Sequence, residues 1–239
     1  MWSDVVDLRD FYQSDLGGVA GAMIRRQVRL MWPDLRGLSV MGLGFATPYL
    51  RPLREDAERV VAVMPAGSGV LAWPPGERSL ACLAEEDELP LPDRSIDRVL
   101  LVHALESTEH VRTTLREIWR VLADGGKLLV ITPNRRGIWA QFDRTPFGQG
   151  RPYTLKQLNQ LLRDTMFTPQ ANGTALFVPP FRSRFVLRSA RAWENLGQRW
   201  FPTFAGVVMV EATKQIYGGS RVEVAAKARR YLPIPGGFR

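Results

Sequence analysis

Val40-Met41-Gly42-Leu43-Gly44-Phe45-Ala46-Thr47-Pro48-Tyr49-Leu50 is an apolar run that breaks at two glycines and continues into a proline-containing segment. Leu35 to Val40 leads into it as a buried first strand would, and the chain beyond it is expected to turn and enter a helix. Glycines at such a strand-to-helix turn let the backbone approach a nucleotide closely. Gly42 and Gly44 fit that use, while Ala46 and Pro48 stand where two further small residues would complete the loop. The stretch reads as a nucleotide-binding loop with part of its residue set exchanged. On its own a short glycine pattern also describes an ordinary strand end.

The downstream sequence sharpens this. Glu85-Glu86-Asp87-Glu88-Leu89-Pro90-Leu91-Pro92-Asp93-Arg94-Ser95-Ile96-Asp97 runs into Arg98-Val99-Leu100-Leu101-Val102-His103-Ala104-Leu105-Glu106. Further on stands Leu115-Arg116-Glu117-Ile118-Trp119-Arg120-Val121-Leu122-Ala123-Asp124-Gly125-Gly126, then Lys127-Leu128-Leu129-Val130-Ile131-Thr132-Pro133-Asn134. Together these resemble the class I S-adenosylmethionine-dependent methyltransferases, specifically the small-molecule group called type 11. That group runs from an acidic residue through Leu-Pro-Phe-x-Asp-x-Ser-Phe-Asp and a strand to His-x-Leu-Glu. A helix ending in Arg-Val-Leu-x-Pro-Gly-Gly follows.

The resemblance is close over residues 38 to 135 and looser over 150 to 217. It implies an α/β, Rossmann-like methyltransferase fold: a seven-stranded, mostly parallel sheet with helices on both faces. One domain is expected over residues 1–217, with an N-terminal helix at 17–32 and a core at 35–217. A loosely ordered basic tail is expected at 218–239.

Periodicity supports the layout. Val19, Met23, Ile24, Val28 and Met31 recur near helical spacing between Gly17 and Trp32. Val60 to Met64, Ser79 to Leu83, Arg98 to Ala104 and Lys127 to Thr132 read as the next strands. Val111, Leu115, Ile118, Trp119 and Leu122 form one apolar helix face, expected to end on Gly125-Gly126 as a C-cap. Thr154 and Gln157 have capping-box spacing, so a helix is expected over Leu155 to Asp164. Ala175 to Val178 and Val207 to Ala212 read as late strands, the last being the antiparallel insertion. Strands alternating with helices imply a largely parallel sheet.

Composition narrows the function classes. The chain has 239 residues and a net charge of +8. Eleven Lys or Arg against three Glu lie from Phe181 to the end, so the excess sits in the last quarter. No apolar stretch approaches the ~20 residues a membrane span needs. Met1-Trp2-Ser3-Asp4 lacks the basic and apolar regions of a signal peptide, and a cytoplasmic protein is expected. One cysteine, Cys82, permits no intrachain disulfide, and two histidines build no Cys/His metal site, so no metal is expected.

Carried over position by position, the resemblance implies an S-adenosylmethionine site made by Gly42, Gly44, Ala46, Met64, Glu85 and His103. Gly42 stands where an aspartate usually follows the first strand. Met64 stands where an Asp or Glu accepts both ribose hydroxyls. Glu85 matches the acidic residue near the adenine amino group, and His103 lies beside the methionine end as a candidate general base. Methionine offers no equivalent acceptor, and an unpaired buried polar group costs about 1–3 kcal/mol. Weak cofactor binding is therefore expected.

The segment after the fifth strand carries Arg135, Arg136, Phe147, Arg151 and Tyr153. It reads equally as an anionic-substrate loop, a partner-docking loop or a plain Pro/Gly connection. No Asn/Asp-Pro-Pro-Tyr/Phe sequence follows the fourth strand, so a small molecule or lipid is a better acceptor than nucleic acid. Between 181 and 201, Phe181, Phe185, Leu187, Trp193, Leu196, Trp200 and Phe201 interleave with five arginines. That pattern reads either as a helix packed on the sheet with snorkelling arginines or as peripheral membrane contact. The activity expected is methyl transfer to a small or lipid-like molecule. The alternative is a non-catalytic relative that binds a partner protein or membrane surface.

Overall fold

The computed structural model describes residues 4–181 and 183–215. Arg182 and the expected tail at 218–239 lie outside the described residues, as do the side chains of Arg184 and Phe185. The chain opens with helices α1 (Val5–Gln13) and α2 (Asp15–Met31) and then enters strand β1 (Ser39–Gly44). A short α3 (Thr47–Leu50) precedes β2 (Arg59–Pro65), β3 (Ala81–Ala84) and β4 (Ile96–Val102). Then come α4 (Val111–Val121), β5 (Leu122–Pro133), α5 (Leu155–Asp164) and β6 (Phe167–Ala175). Helices α6 (Arg184–Arg188) and α7 (Ala190–Trp200) lead into β7 (Val207–Lys214).

The seven strands form one sheet in the order β3-β2-β1-β4-β5-β7-β6. The first five pair in parallel, and β7 inserts antiparallel to both β5 and β6. Side-chain alternation sorts the core into two layers. Val40, Ala62, Leu100, Leu129 and Met209 face one way and pack on Leu16, Ala20, Ile24 and Val28 of α2. Met41, Val63, Leu101, Leu128 and Val210 face the other and pack on Leu115 and Ile118 of α4 and Leu158 and Leu162 of α5. Strands buried on both faces explain the continuous apolar runs.

Several expected boundaries shift for local physical reasons. The helix expected at 17–32 begins at Asp15, because Ser14 caps it by accepting from Gly17 N–H. It is preceded by α1, which was not anticipated and is capped by Asp4. Strand β4 stops before Ala104 because His103 turns to a φ of 52°. Helix α4 ends at Val121, with Leu122 already extended, so Gly125-Gly126 do not cap it. The late strand expected at Ala175–Val178 lies upstream as β6, stopping where Leu176 takes a φ of 73°. Helix α5 and its Thr154/Gln157 capping box occur as anticipated.

Candidate functional site

In a sheet of this kind ligands bind beyond the carboxyl ends of the strands, where the strand order reverses. Here that point lies between β1 and β4. Gly44, the last residue of β1, has a φ of 84°, and a Cβ there would stand 2.1 Å from the Val102 carbonyl oxygen. Phe45 N–H donates to that same carbonyl at 2.9 Å. The glycine thus lets the chain turn across the tip of β4. Gly42 serves packing, since a Cβ there would meet Ala46 Cβ and Leu50 Cδ1 at 2.6 Å, and its bareness seats α3 on the strand. Ala46 keeps a φ of −87°, which its methyl tolerates, and Pro48 occupies the first turn of α3.

Helix α1 lies over these strand ends. The hydroxyl of Tyr12 stands 2.6 Å from the Tyr49 hydroxyl and 2.6 Å from His103 Nε2. Its ring stacks on Phe45 at 5.7 Å and meets Phe11 and Tyr49 edge-on. His103 also packs on Phe147 at 5.1 Å, and its Nδ1 lies 3.3 Å from Glu106 Oε1. Neither carboxylate oxygen of Glu106, which is 3 % exposed, has a hydrogen-bond partner among the described residues. Burial, and then Tyr49, push the Tyr12 phenol well above its ordinary range. Burial does the same to Tyr49. Both phenols therefore stay protonated donors at neutral pH.

Met64, next to last in β2, lies in an apolar cluster with Val5, Leu8 and Phe45. Val5 N–H donates to Ser68 carbonyl at 2.9 Å, tying α1 to the turn after β2. On the far side of that turn lies a cleft of about 480 Å³ lined by Ala66, Gly67, Glu85, Glu86, Asp87, Glu109 and His110. Glu85 is exposed in it, whereas burial raises the carboxyl of Glu86 above its usual range. Among the described residues no group of three or more His, Cys, Asp or Glu is placed to share a metal ion.

The expected loop residues separate. Phe147 is buried against His103, Phe11 and Trp139. Arg151 N–H donates to the Glu106 carbonyl, and Tyr153 bridges to Asn134. Arg135 donates its N–H to Tyr153 carbonyl and keeps an exposed side chain, while Arg136 lines a different cleft beside Lys156. Sequence reading missed Phe11, Tyr12, Phe45, Tyr49 and Trp139. The one available signal was the aromatic pair Phe11-Tyr12 just ahead of the Ser14 cap.

The sheet order, the antiparallel β7 and the site at the β1/β4 reversal define a Rossmann-like methyltransferase fold. A family model described as a methyltransferase domain matches residues 40–130. Residues 40–130 thus carry the class I S-adenosylmethionine-dependent methyltransferase domain that this model describes. It is 28% identical over 145 residues to an uncharacterized protein of Mycobacterium tuberculosis, a match covering 58% of this chain and 48% of that protein. The match thus spans about half the length of this curated relative.

A Thermotoga maritima methyltransferase structure superposes with a TM-score of 0.64 at 18% identity, covering 88% of this chain and 96% of that one. A Haloferax volcanii methyltransferase, solved in complex with the activator Trm112, gives 0.63 at 17% identity, covering 90% and 100%. At these identities the two structures speak for the fold.

Family membership implies S-adenosylmethionine as cofactor, and the residues fit it at one end. The acidic cleft suits an adenine amino donor, and Gly44 leaves the backbone bare. The ribose and methionine end does not fit while α1 is seated: Met64 offers no carboxylate, and Val5, Leu8 and Tyr12 occupy the space above it.

Proposed function

We propose that the chain is a methyltransferase that takes S-adenosylmethionine across the tips of β1, β2 and β4 once α1 lifts, and that it acts on a small or lipid-like molecule. The observation carrying this is at the tips of the neighbouring strands β1 and β4. Gly44 and His103 both turn through positive φ there, clearing the strand ends beside the acidic cleft. A non-glycine residue in that conformation is strained, and strain of this kind collects at functional sites.

In this reading His103 Nε2, which now holds the Tyr12 hydroxyl, receives a proton from an acceptor hydroxyl in the same place. Glu106 lies on the opposite ring nitrogen and steadies the charge. The cofactor supplies the methyl group. A lipid-like acceptor is favoured by Trp193, Leu196, Trp200, Phe201 and Phe204, which stand 40% to 65% exposed on α7 and the turn after it. Arg191 and Arg199 flank them, as on an interfacial helix. No helix among the described residues is long and apolar enough to cross a membrane.

The second reading is a non-catalytic member that binds a partner protein or membrane surface. The sealed Val5–Leu8–Met64 cluster favours it. Calorimetry with S-adenosylmethionine and S-adenosylhomocysteine separates the two. Binding in the high-micromolar range or weaker is expected, because α1 must be displaced and no ribose acceptor stands at Met64. No heat at millimolar ligand would end the enzyme reading and leave the second.

A further inference from the structure

A second cleft, of about 580 Å³, opens at the other half of the strand ends, over β5, β6 and β7. Asn134 and Arg136 form one wall, Thr154 to Lys156 and Asn159 of α5 another, and Pro202, Thr203 and Val208 close it. Its charge is one-signed. Arg136 and Lys156 line it, no carboxylate does, and neither cation has an ion-pair partner among the described residues. The first-turn N–H groups of Leu155 and Lys156 also sit at this wall, where no carbonyl of α5 serves them.

A third feature is unrelated to charge. The Oδ1 of Asn159 is buried with no hydrogen-bond partner, while its Nδ2 donates to Leu155 carbonyl at 3.0 Å. A buried acceptor left bare costs about as much as a lost hydrogen bond, and a ligand hydroxyl that displaced the side chains covering it would supply the missing donor.

We infer that this cleft binds a phosphate ester that also carries a hydroxyl. The phosphate lies between Arg136, Lys156 and the start of α5, and the hydroxyl donates to Asn159 Oδ1. A phosphate oxyanion, doubly charged in a monoester and singly charged in a phospholipid diester, matches two cations and free backbone donors better than a neutral ligand does. The same chemistry comes from a soluble phosphate ester or from a phospholipid headgroup. Pro202 and Thr203, which line the cleft, follow the exposed Trp200 and Phe201 in the chain and precede the exposed Phe204. The inference stands apart from methyl transfer, because binding here involves neither His103 nor the cofactor end.

The test uses the full chain and the double variant Arg136→Gln/Lys156→Gln. Both side chains are exposed, so the fold is retained. A charge-matched control, Arg112→Gln/Arg116→Gln, removes two exposed cations from α4. Glycerol 3-phosphate is titrated by calorimetry, and phosphatidylcholine vesicles with and without phosphatidylglycerol are used in co-sedimentation.

Glycerol 3-phosphate is expected to bind the wild type and the control alike, and to lose about tenfold or more in affinity with the cleft variant. Asn159→Leu is expected to weaken glycerol 3-phosphate and leave inorganic phosphate unchanged. Co-sedimentation that needs phosphatidylglycerol and Arg136/Lys156 assigns the source to a headgroup; phosphate-ester binding without it assigns a soluble ester. Equal losses in the control and the cleft variant, or no binding in either arm, would overturn the inference.

Discussion

The hydroxyl of Tyr12 stands 2.6 Å from His103 Nε2, joining a side chain of α1 to the tip of β4 across a chain separation of 91 residues. The same hydroxyl meets Tyr49 at 2.6 Å, so one oxygen serves two buried partners. This contact and the Val5–Leu8–Met64 cluster fasten α1 over the site, one through hydrogen bonds and the other through apolar burial.

Tyr12→Phe keeps the ring stacking and removes the oxygen. It leaves His103 Nε2 and the Tyr49 hydroxyl unpaired, which costs about 1–3 kcal/mol when such groups stay buried. The loss falls on the closed form alone. Hydrogen exchange should quicken over residues 5–13, and calorimetry should show tighter S-adenosylmethionine binding. Unchanged exchange in α1 would show that apolar burial alone holds it.

Gly44→Ala addresses the strand turn. A methyl at a φ of 84° is strained, and here it also meets a main-chain oxygen at 2.1 Å that has no room to retreat. A loss of about 2–4 kcal/mol is expected. For a chain of this size that lowers Tm by roughly 4–16 °C, read by scanning calorimetry. A change below a degree would show that β1 and β4 are less tightly apposed than the geometry states.

Much of the fold was legible because the strands are apolar on both faces and the turns carry their own chemistry. Thr154 and Gln157 announced α5 through a two-way hydrogen bond that depends on nothing distant. The family resemblance put Glu85 and His103 at strand ends, and they directly follow β3 and β4. What stayed hidden depended on contacts across the chain. Tyr12 looks like any helix residue until His103 comes to meet it. The packing of Leu50 against Gly42 is likewise invisible until the fold brings the two together. The Gly125-Gly126 pair looks like a helix cap, yet the helix ends at Val121, and the side chain of the next residue, Leu122, is drawn into the core between sheet and α4.

Met64→Asp tests the missing ribose acceptor. With α1 seated, a carboxylate there would lie under Val5 and Leu8 without a partner, so the unliganded protein should lose stability. With α1 lifted, the carboxylate can accept both ribose hydroxyls. Binding of S-adenosylmethionine should then tighten by about 1–3 kcal/mol, or about fivefold to more than a hundredfold. Since Ala46 and Pro48 both sit in relaxed conformations, an absence of gain would point to α1 as the remaining obstacle. Combining Met64→Asp with Tyr12→Phe would then restore binding if α1 is that obstacle.

Glu194 offers a pH test of the α7 anchor. It is 2 % exposed, and its two oxygens accept the N–H groups of Leu176 at 2.8 Å and Phe177 at 2.9 Å, holding the chain after β6 beneath α7. Burial raises its carboxyl above the ordinary 4.5, and the two backbone donors oppose that rise without cancelling it. A carboxyl whose folded value is raised binds its proton more tightly in the native state than in the unfolded chain. Its contribution to stability is therefore fully present below about pH 4.5 and is lost as pH climbs through the folded value. Glu194→Gln removes the titration but presents an amide donor to one of two N–H groups, leaving that N–H unpaired at about 1–3 kcal/mol. Denaturant unfolding followed from pH 4.5 upward should show the wild type losing stability relative to the glutamine variant as the carboxyl ionises. A gap between the two proteins that stays constant across that range would mean that Glu194 is charged throughout, its two backbone donors outweighing its burial.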